Sequence, residues 1–320
     1  FNRPEAAPQL LTTTVTRGDI IQTVTATGKI QAVNTVEVGT TGIYLNIASG
    51  SDIETSDAAA GTAHLFLAAG ICADGDEKEV RGNDITVRQT TEAMAEAINT
   101  VKDRIALSVA ATAGVGVGIV LDAGTILNAE TYAPVPPTMD DAFGDVIQGN
   151  TVSVTDEIVV SSIAGMLLDP PLDGSSHALS AAVGAAASLG IVAPEASVLD
   201  NTVSTVANQN SLAVALVTEP SDPVILAAAS DLPGAGAANL GVAVSGGIVT
   251  LRSCITNNTV FTAANAEGIV EATTEELLED AGFLGVVGAV DVGIVSLNPS
   301  YIDANTVDGE VSLSVMGMSY

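Results

Sequence analysis

IALSVAATAGVGVGIVL (residues 105–121) and LPGAGAANLGVAVSGGIVTL (residues 232–251) carry no charged residue. A membrane-crossing helix needs about 20 predominantly apolar residues, so length alone leaves such a span open. Composition decides against it. Both stretches are rich in Gly, Ala, Ser and Thr, and their apolar residues alternate with a period of two. That period places successive side chains on opposite faces of a strand. Working outward, the same signature recurs at LLTTTVT, IIQTVTATG and VNTVEVG within residues 10–39, at YLNIA (44–48), AHLFLAAGI (63–71) and ITV (85–87), and at the final strand expected over 310–316. The fold class expected is mainly β with a few short helices, in β-sandwich or barrel-like domains behind an N-terminal strand-rich arm.

Three short helices are expected. Thr90 or Thr91 stands before TEAMAEAINTVKD, which sets Met94, Ala97, Ile98 and Val101 on one stripe. Ala178–Leu189 is alanine-rich between a Ser pair and Pro194, and Thr273–Asp280 reads as a capped turn ended by Gly282. No fixed period of 20–50 residues is evident, which argues against a solenoid. The divisions expected are an arm over 1–42, a small β-rich domain over 43–131, a linker over 132–145 containing Pro134, Pro136 and Pro137, and a larger β-rich domain over 146–320.

The chain of 320 residues is 47% hydrophobic with 3% aromatics and no Trp, so Val, Ile, Leu and Ala must fill its core. Thirty-eight acidic against nine basic residues give a net charge of −29. This excludes ordinary phosphate-backbone binding, which needs a Lys/Arg surface, and disfavours anionic lipid. After Arg104 the only basic residue is Arg252, so the later carboxylates must be solvated, screened or bound to cations. Cys72 and Cys254 allow one long-range disulfide or two separate thiols. The chain opens on FNRPEAAP, without the charged start and apolar run of a signal peptide.

No catalytic group is expected. His64 and His177 lack a nucleophile elbow around them, and the glycines of 114–118 and 234–236 lack the strand–GxGxxG–helix setting of a dinucleotide site. No cofactor is expected except a cation. Acidic turns occur at Asp74, Asp76, Glu77 and Glu79, and at Asp140, Asp141 and Asp145. Asp303, Asn305, Asp308 and Glu310 place alternating oxygens around a Gly turn that could wrap calcium.

Residues 9–42, with Val15-Thr16-Arg17-Gly18-Asp19-Ile20-Ile21-Gln22 running on to Ala26-Thr27-Gly28 and Val33–Gly39, resemble the N-terminal strand segment of periplasmic adaptor (membrane fusion) proteins of efflux pumps. Residues 42–53 resemble that family's lipoyl-like half-motif in shortened form. The resemblance covers under a fifth of the chain and implies an adaptor-like component of a membrane transport complex in the periplasm. The charged helical hairpin of that family has no counterpart here. Residues 43–130, through TEAMAEAIN between strands, resemble β-rich modules of flagellins and phage tail proteins. The reading favoured is a structural, non-enzymatic subunit of an extracellular, cell-surface or virion assembly. Its partners would be copies of itself through β-strand contacts, with no nucleic acid, and a membrane only in the adaptor alternative.

Overall fold

The computed structural model describes residues 36–39, 43–49, 57–75, 77–100, 105–122, 143–167, 176–218, 234–274 and 280–319. Five turns of parallel strands follow one another along the chain. The first comprises β3 (Ala58–Ala73), β4 (Glu79–Arg81) and β5 (Asp84–Asn99). The second comprises β6 (Ile105–Leu121), β7 (Asp145–Gln148) and β8 (Thr151–Leu167), and the third β9 (His177–Ala193), β10 (Ala196–Leu199) and β11 (Thr202–Thr218). The fourth comprises β12 (Gly234–Thr250), β13 (Cys254–Thr256) and β14 (Thr259–Thr274), and the last β15 (Asp280–Ser296), β16 (Tyr301–Asp303) and β17 (Thr306–Ser319).

Equivalent strands of successive turns pair in parallel and build three sheets. The back sheet runs β15-β12-β9-β6-β3, the narrow corner sheet β16-β13-β10-β7-β4, and the front sheet β5-β8-β11-β14-β17. β1 (Val36–Gly39) and β2 (Ile43–Ser49) both add in parallel to the free side of β5. The described strands therefore form a flattened solenoid with two broad faces, which corrects the expectation against a solenoid. The mainly-β class stands, but the described strands form one stack in place of sandwich or barrel domains. Strands on either side of the 132–145 segment pair directly, β6 with β9 and β5 with β8.

No helix occurs among the described residues, and two expected helices are strands. TEAMAEAIN lies in β5, where Ile85, Val87, Gln89, Thr91, Ala93, Ala95, Ala97 and Asn99 all point inward. Ala178–Leu189 lies in β9, with Ala178, Ser180, Ala182, Ala186 and Ser188 inward. Alanine satisfies a helical stripe and a pleat equally well, and hydrogen-bonded neighbours on both sides settle the matter for the strand. Of the third expected helix, Thr273 and Thr274 end β14 and Asp280 opens β15; residues 275–279 lie outside the described residues.

Each turn repeats two signals at its corner. Gly-Ile-Cys (70–72) and Gly-Ile-Val (118–120, 190–192, 247–249, 293–295) end the back strands, and Asn-Asp-Ile (83–85) or Asn-Thr-Val (150–152, 201–203, 258–260, 305–307) open the front ones. The glycines mark a close approach. A Cβ on Gly118 would lie 2.6 Å from the carbonyl oxygen of Gly190 and also meet Val152. Backbone cannot move aside as a side chain can, so only glycine fits. The asparagines form a buried ladder. Asn83 donates through its main-chain N–H (3.0 Å) and its Nδ2 (2.9 Å) to Oδ1 of Asn150. Asn150 repeats both bonds on Asn201, Asn201 on Asn258, and Asn258 on Asn305. The residue before each asparagine has positive φ: Gly82, Gly149, Asp200, Asn257 and Ala304.

The interior is zoned. Near the corner sheet it is Ile and Val, including Ile85, Ile119, Ile147, Ile191, Ile248 and Ile255. Toward the other end it is mostly alanine, from Ala58 through Ala106, Ala178 and Ala235 to Ala272. Small inward side chains let two flat sheets lie close, which accounts for the scarcity of aromatics. Hydroxyls tie the sheets together: Ser162 donates to Ser108 (2.9 Å), Ser180 to the Ser162 carbonyl (2.7 Å), and Thr205 pairs with Ser245 (2.7 Å).

Candidate assembly interface

The last turn is built like the others but has no described neighbour on its far side. In inner turns the Asn-Thr step is closed by a main-chain bond from each Thr to the Asn of the turn before, ending at Thr306 to Asn258 (2.8 Å). Among the described residues no sixth turn uses the main-chain groups of Asn305 or the outer edge of β17. Register carries Val260 to Val307, Ala264 to Val311, Ala266 to Leu313 and Gly268 to Val315. The β17 members of these rows therefore face the solenoid interior, yet they are about half exposed: Val307 49%, Val311 50%, Leu313 53% and Val315 49%. An apolar interior cross-section is thus left uncovered by the described residues, beside three parallel strand edges. Such edges are templates for further strand pairing.

The opposite end differs. β3 and β4 are the last strands of the back and corner sheets, but the front sheet is extended beyond β5 by β1 and β2. Val36–Gly39, the described part of the expected arm, pairs with Val87–Thr90 of its own chain. The rest of residues 1–42, with the adaptor-like stretch up to residue 35, lies outside the described residues.

The expected cation residues fall in this last turn but serve different ends. Asn305 closes the ladder: its Oδ1 accepts from Asn258, and its Nδ2 donates to the carbonyls of Ile255 (2.8 Å) and Asp303 (2.9 Å). Asp303 accepts a bond from the Tyr301 hydroxyl at 3.3 Å, and its charge, with burial and that bond, pushes the Tyr301 phenol up. Asp308 and Glu310 pair in register with Phe261 and Ala263, on the outward face of the front sheet. Among the described residues no three His, Cys, Asp or Glu side chains gather as a metal set.

The acidic turns found in the sequence behave as structure. Lys78 forms ion pairs with Asp122 (2.7 Å) and Asp145 (2.9 Å), joining the first two turns outside the corner. Burial opposes the charge on Lys78, but the bonds to both carboxylates outweigh it and hold the ammonium above its ordinary value. Burial likewise opposes ionised Asp122, and the Lys78 and Asp74 contacts override it to hold that carboxyl low. Asp76, Asp140 and Asp141 lie outside the described residues. Both cysteines are free, Cys72 exposed and Cys254 buried, so the disulfide alternative falls. His64 stacks on Phe66 with ring centroids 5.8 Å apart, far along the chain from His177 at the start of β9.

Sequence reasoning missed one ionisable group of consequence. Asp156 is fully buried between the sheets, and burial pushes its carboxyl up to about 7 against one backbone bond from Ala187 (3.1 Å). The signal was its place in an alternating strand, TVSVTDEIV, at an inward position. No protein-family model, curated protein or solved structure matches this chain.

Proposed function

We propose that this protein is a structural subunit of an extracellular or surface assembly, a filament, sheath or virion component, built by strand-to-strand contacts between copies. One observation carries the reading: the last described turn leaves parallel strand edges unpaired among the described residues, beside a half-exposed apolar interior row, Val307, Val311, Leu313 and Val315. The first turn repeats the pattern of the last, Gly70 for Gly293 and Asn83 for Asn305, so the first turn of a second copy offers matching strands. β3 and β4 present their edges directly, while access to β5 requires β1 and β2 to give way. This assigns a role to the N-terminal strands: β1 and β2 occupy the front-sheet position that an incoming β17 would take.

The reading is tested by electron microscopy and sedimentation of the native chain and of Val311→Lys/Leu313→Lys. Charges on inward positions of an edge strand block further pairing while leaving the inner turns intact. The native chain should polymerise, more strongly as sodium chloride screens its net charge of −29. The variant should stay folded and fail to polymerise. Polymerisation unchanged in the variant would refute end-to-end contact, and a native chain without polymers at any salt would refute the reading itself.

A further inference from the structure

The two broad faces of the solenoid have opposite chemistry. The outward positions of the front sheet carry Asp84, Glu92, Glu96, Glu157, Glu267 and Glu271, with Arg88. Over the outward positions 59–69, 105–115, 177–187, 234–244 and 282–290 of the back sheet there is no Asp, Glu, Lys or Arg, and no Ser, Thr, Asn or Gln. Every position is Ala, Gly, Val, Leu or Ile except His177 at the rim, the row in which Asp280 opens β15 in register with Gly234. Several stand well clear of the surface, with Leu65 78%, Leu67 74% and Leu284 64% exposed. A shallow hollow of about 480 Å³ crosses the face where Gly236 and Gly282 lie between Leu107, Leu179 and Leu284.

Four strands of 11 residues and one of nine, about 4.8 Å apart and at about 3.3 Å per residue, span on the order of 850 Å². A monomer's largest apolar patch is about 300–600 Å², so this face exceeds what a free surface normally shows. We infer that the back sheets of two copies of this chain pack face to face, making a lateral pair distinct from end-to-end stacking.

Area and charge both select a second copy as occupant. Two such faces bury roughly 1,700 Å² together, the size of a standard stable interface of about 1,600 Å². Packed sheets lie about 10 Å apart, so back-to-back pairing puts the two acidic front faces about 30 Å from each other. That is nearly four Debye lengths of about 8 Å at physiological salt, where repulsion is largely screened. Front-to-front pairing would instead bring carboxylates together, and front-to-back pairing would press them against an apolar sheet without partners. The leucines beside the glycine hollow supply both the projections and the recess that a self-complementary contact needs.

The test compares the native chain with Leu179→Glu/Leu240→Glu on the back sheet and Ser153→Glu/Ser204→Glu on the front sheet. The two variants add equal charge on opposite faces. Sedimentation equilibrium reads association up to about 100 µM, a range that captures any interface of this size held by its apolar core. Where end-to-end polymers form, mass per unit length reads the lateral pair separately from stacking. The native chain and the front-sheet variant should be paired. The back-sheet variant should keep its circular dichroism and associate at least about 100-fold more weakly, since its carboxylates would be buried without partners. A native chain with single-width mass, or pairing equal in all three, would overturn the inference. So would an unpaired native chain that floats with phosphatidylcholine vesicles, which would give the face to lipid.

Discussion

Gln89 and Asp156 are in-register neighbours of adjacent turns, both fully buried, and both turn inward toward Gly114 of the back sheet. Neither amide atom of Gln89 has a partner, and Oδ1 of Asp156 has none. An ionised carboxylate here would be poorly compensated, which is why its proton is held to about pH 7. The folded state binds this proton more tightly than the unfolded state, whose carboxyl titrates near 3.8. Stability from the protonated form is complete below pH 3.8 and is lost as pH rises through 7. The loss amounts to about 4 kcal/mol for a shift of this size. Asp156→Asn removes that dependence. The difference between native and variant in denaturant melts should grow from pH 5 to pH 8 in favour of the variant, and a constant difference would show that Asp156 is ionised in the fold.

The asparagine ladder should be the most sensitive place in the corner. Asn201 accepts two bonds from Asn150 and donates to the Ile147 carbonyl (3.0 Å) and to Asn258 (2.9 Å). Asn201→Leu strands these groups without water, at a cost of about 3 kcal/mol or more. Urea melts of the variant should shift accordingly. An effect under about 1 kcal/mol would mean that the neighbouring turns close over the gap.

Ala304 holds φ +53 in the position where the first two turns use glycine. A left-handed Cβ-bearing residue costs about 1–2 kcal/mol, and the extra unfolded freedom of glycine takes back about 0.4–1 kcal/mol. Ala304→Gly should therefore stabilise the chain by roughly 0.5–1 kcal/mol in the same melts. Asp200→Gly should do less, because aspartate tolerates this conformation better than alanine.

The strands were legible where alternation was clean, and β6 covers the uncharged stretch 105–121 as one strand. The stacking of turns was hidden by loops. Successive ladder asparagines are separated by 67, 51, 57 and 47 residues, so no constant period exists to be seen. The marks that do recur are brief, Gly-Ile-Val and Asn-Thr-Val, and each is ordinary alone. Alanine misled in β5 and β9 because it prefers helix by itself, while the ladder on either side decides for strand. The apolar back face was visible only as a lack of charge in residues 105–121 and 232–251. Which alternate residues face outward depends on the partner sheet, and that pairing spans the whole chain.

The uniform register has a consequence for how such a protein can change length. Thr151, Thr202, Thr259 and Thr306 occupy equivalent places, each following a ladder asparagine and each bonded to the asparagine of the turn before. A cut after Asn201 rejoined at Thr259 would remove one complete circuit and restore the same local junction. Duplication of that segment would add one as cleanly. Whole circuits can thus be lost or gained at this junction, so the solenoid's length is adjustable in steps of one strand spacing, about 4.8 Å.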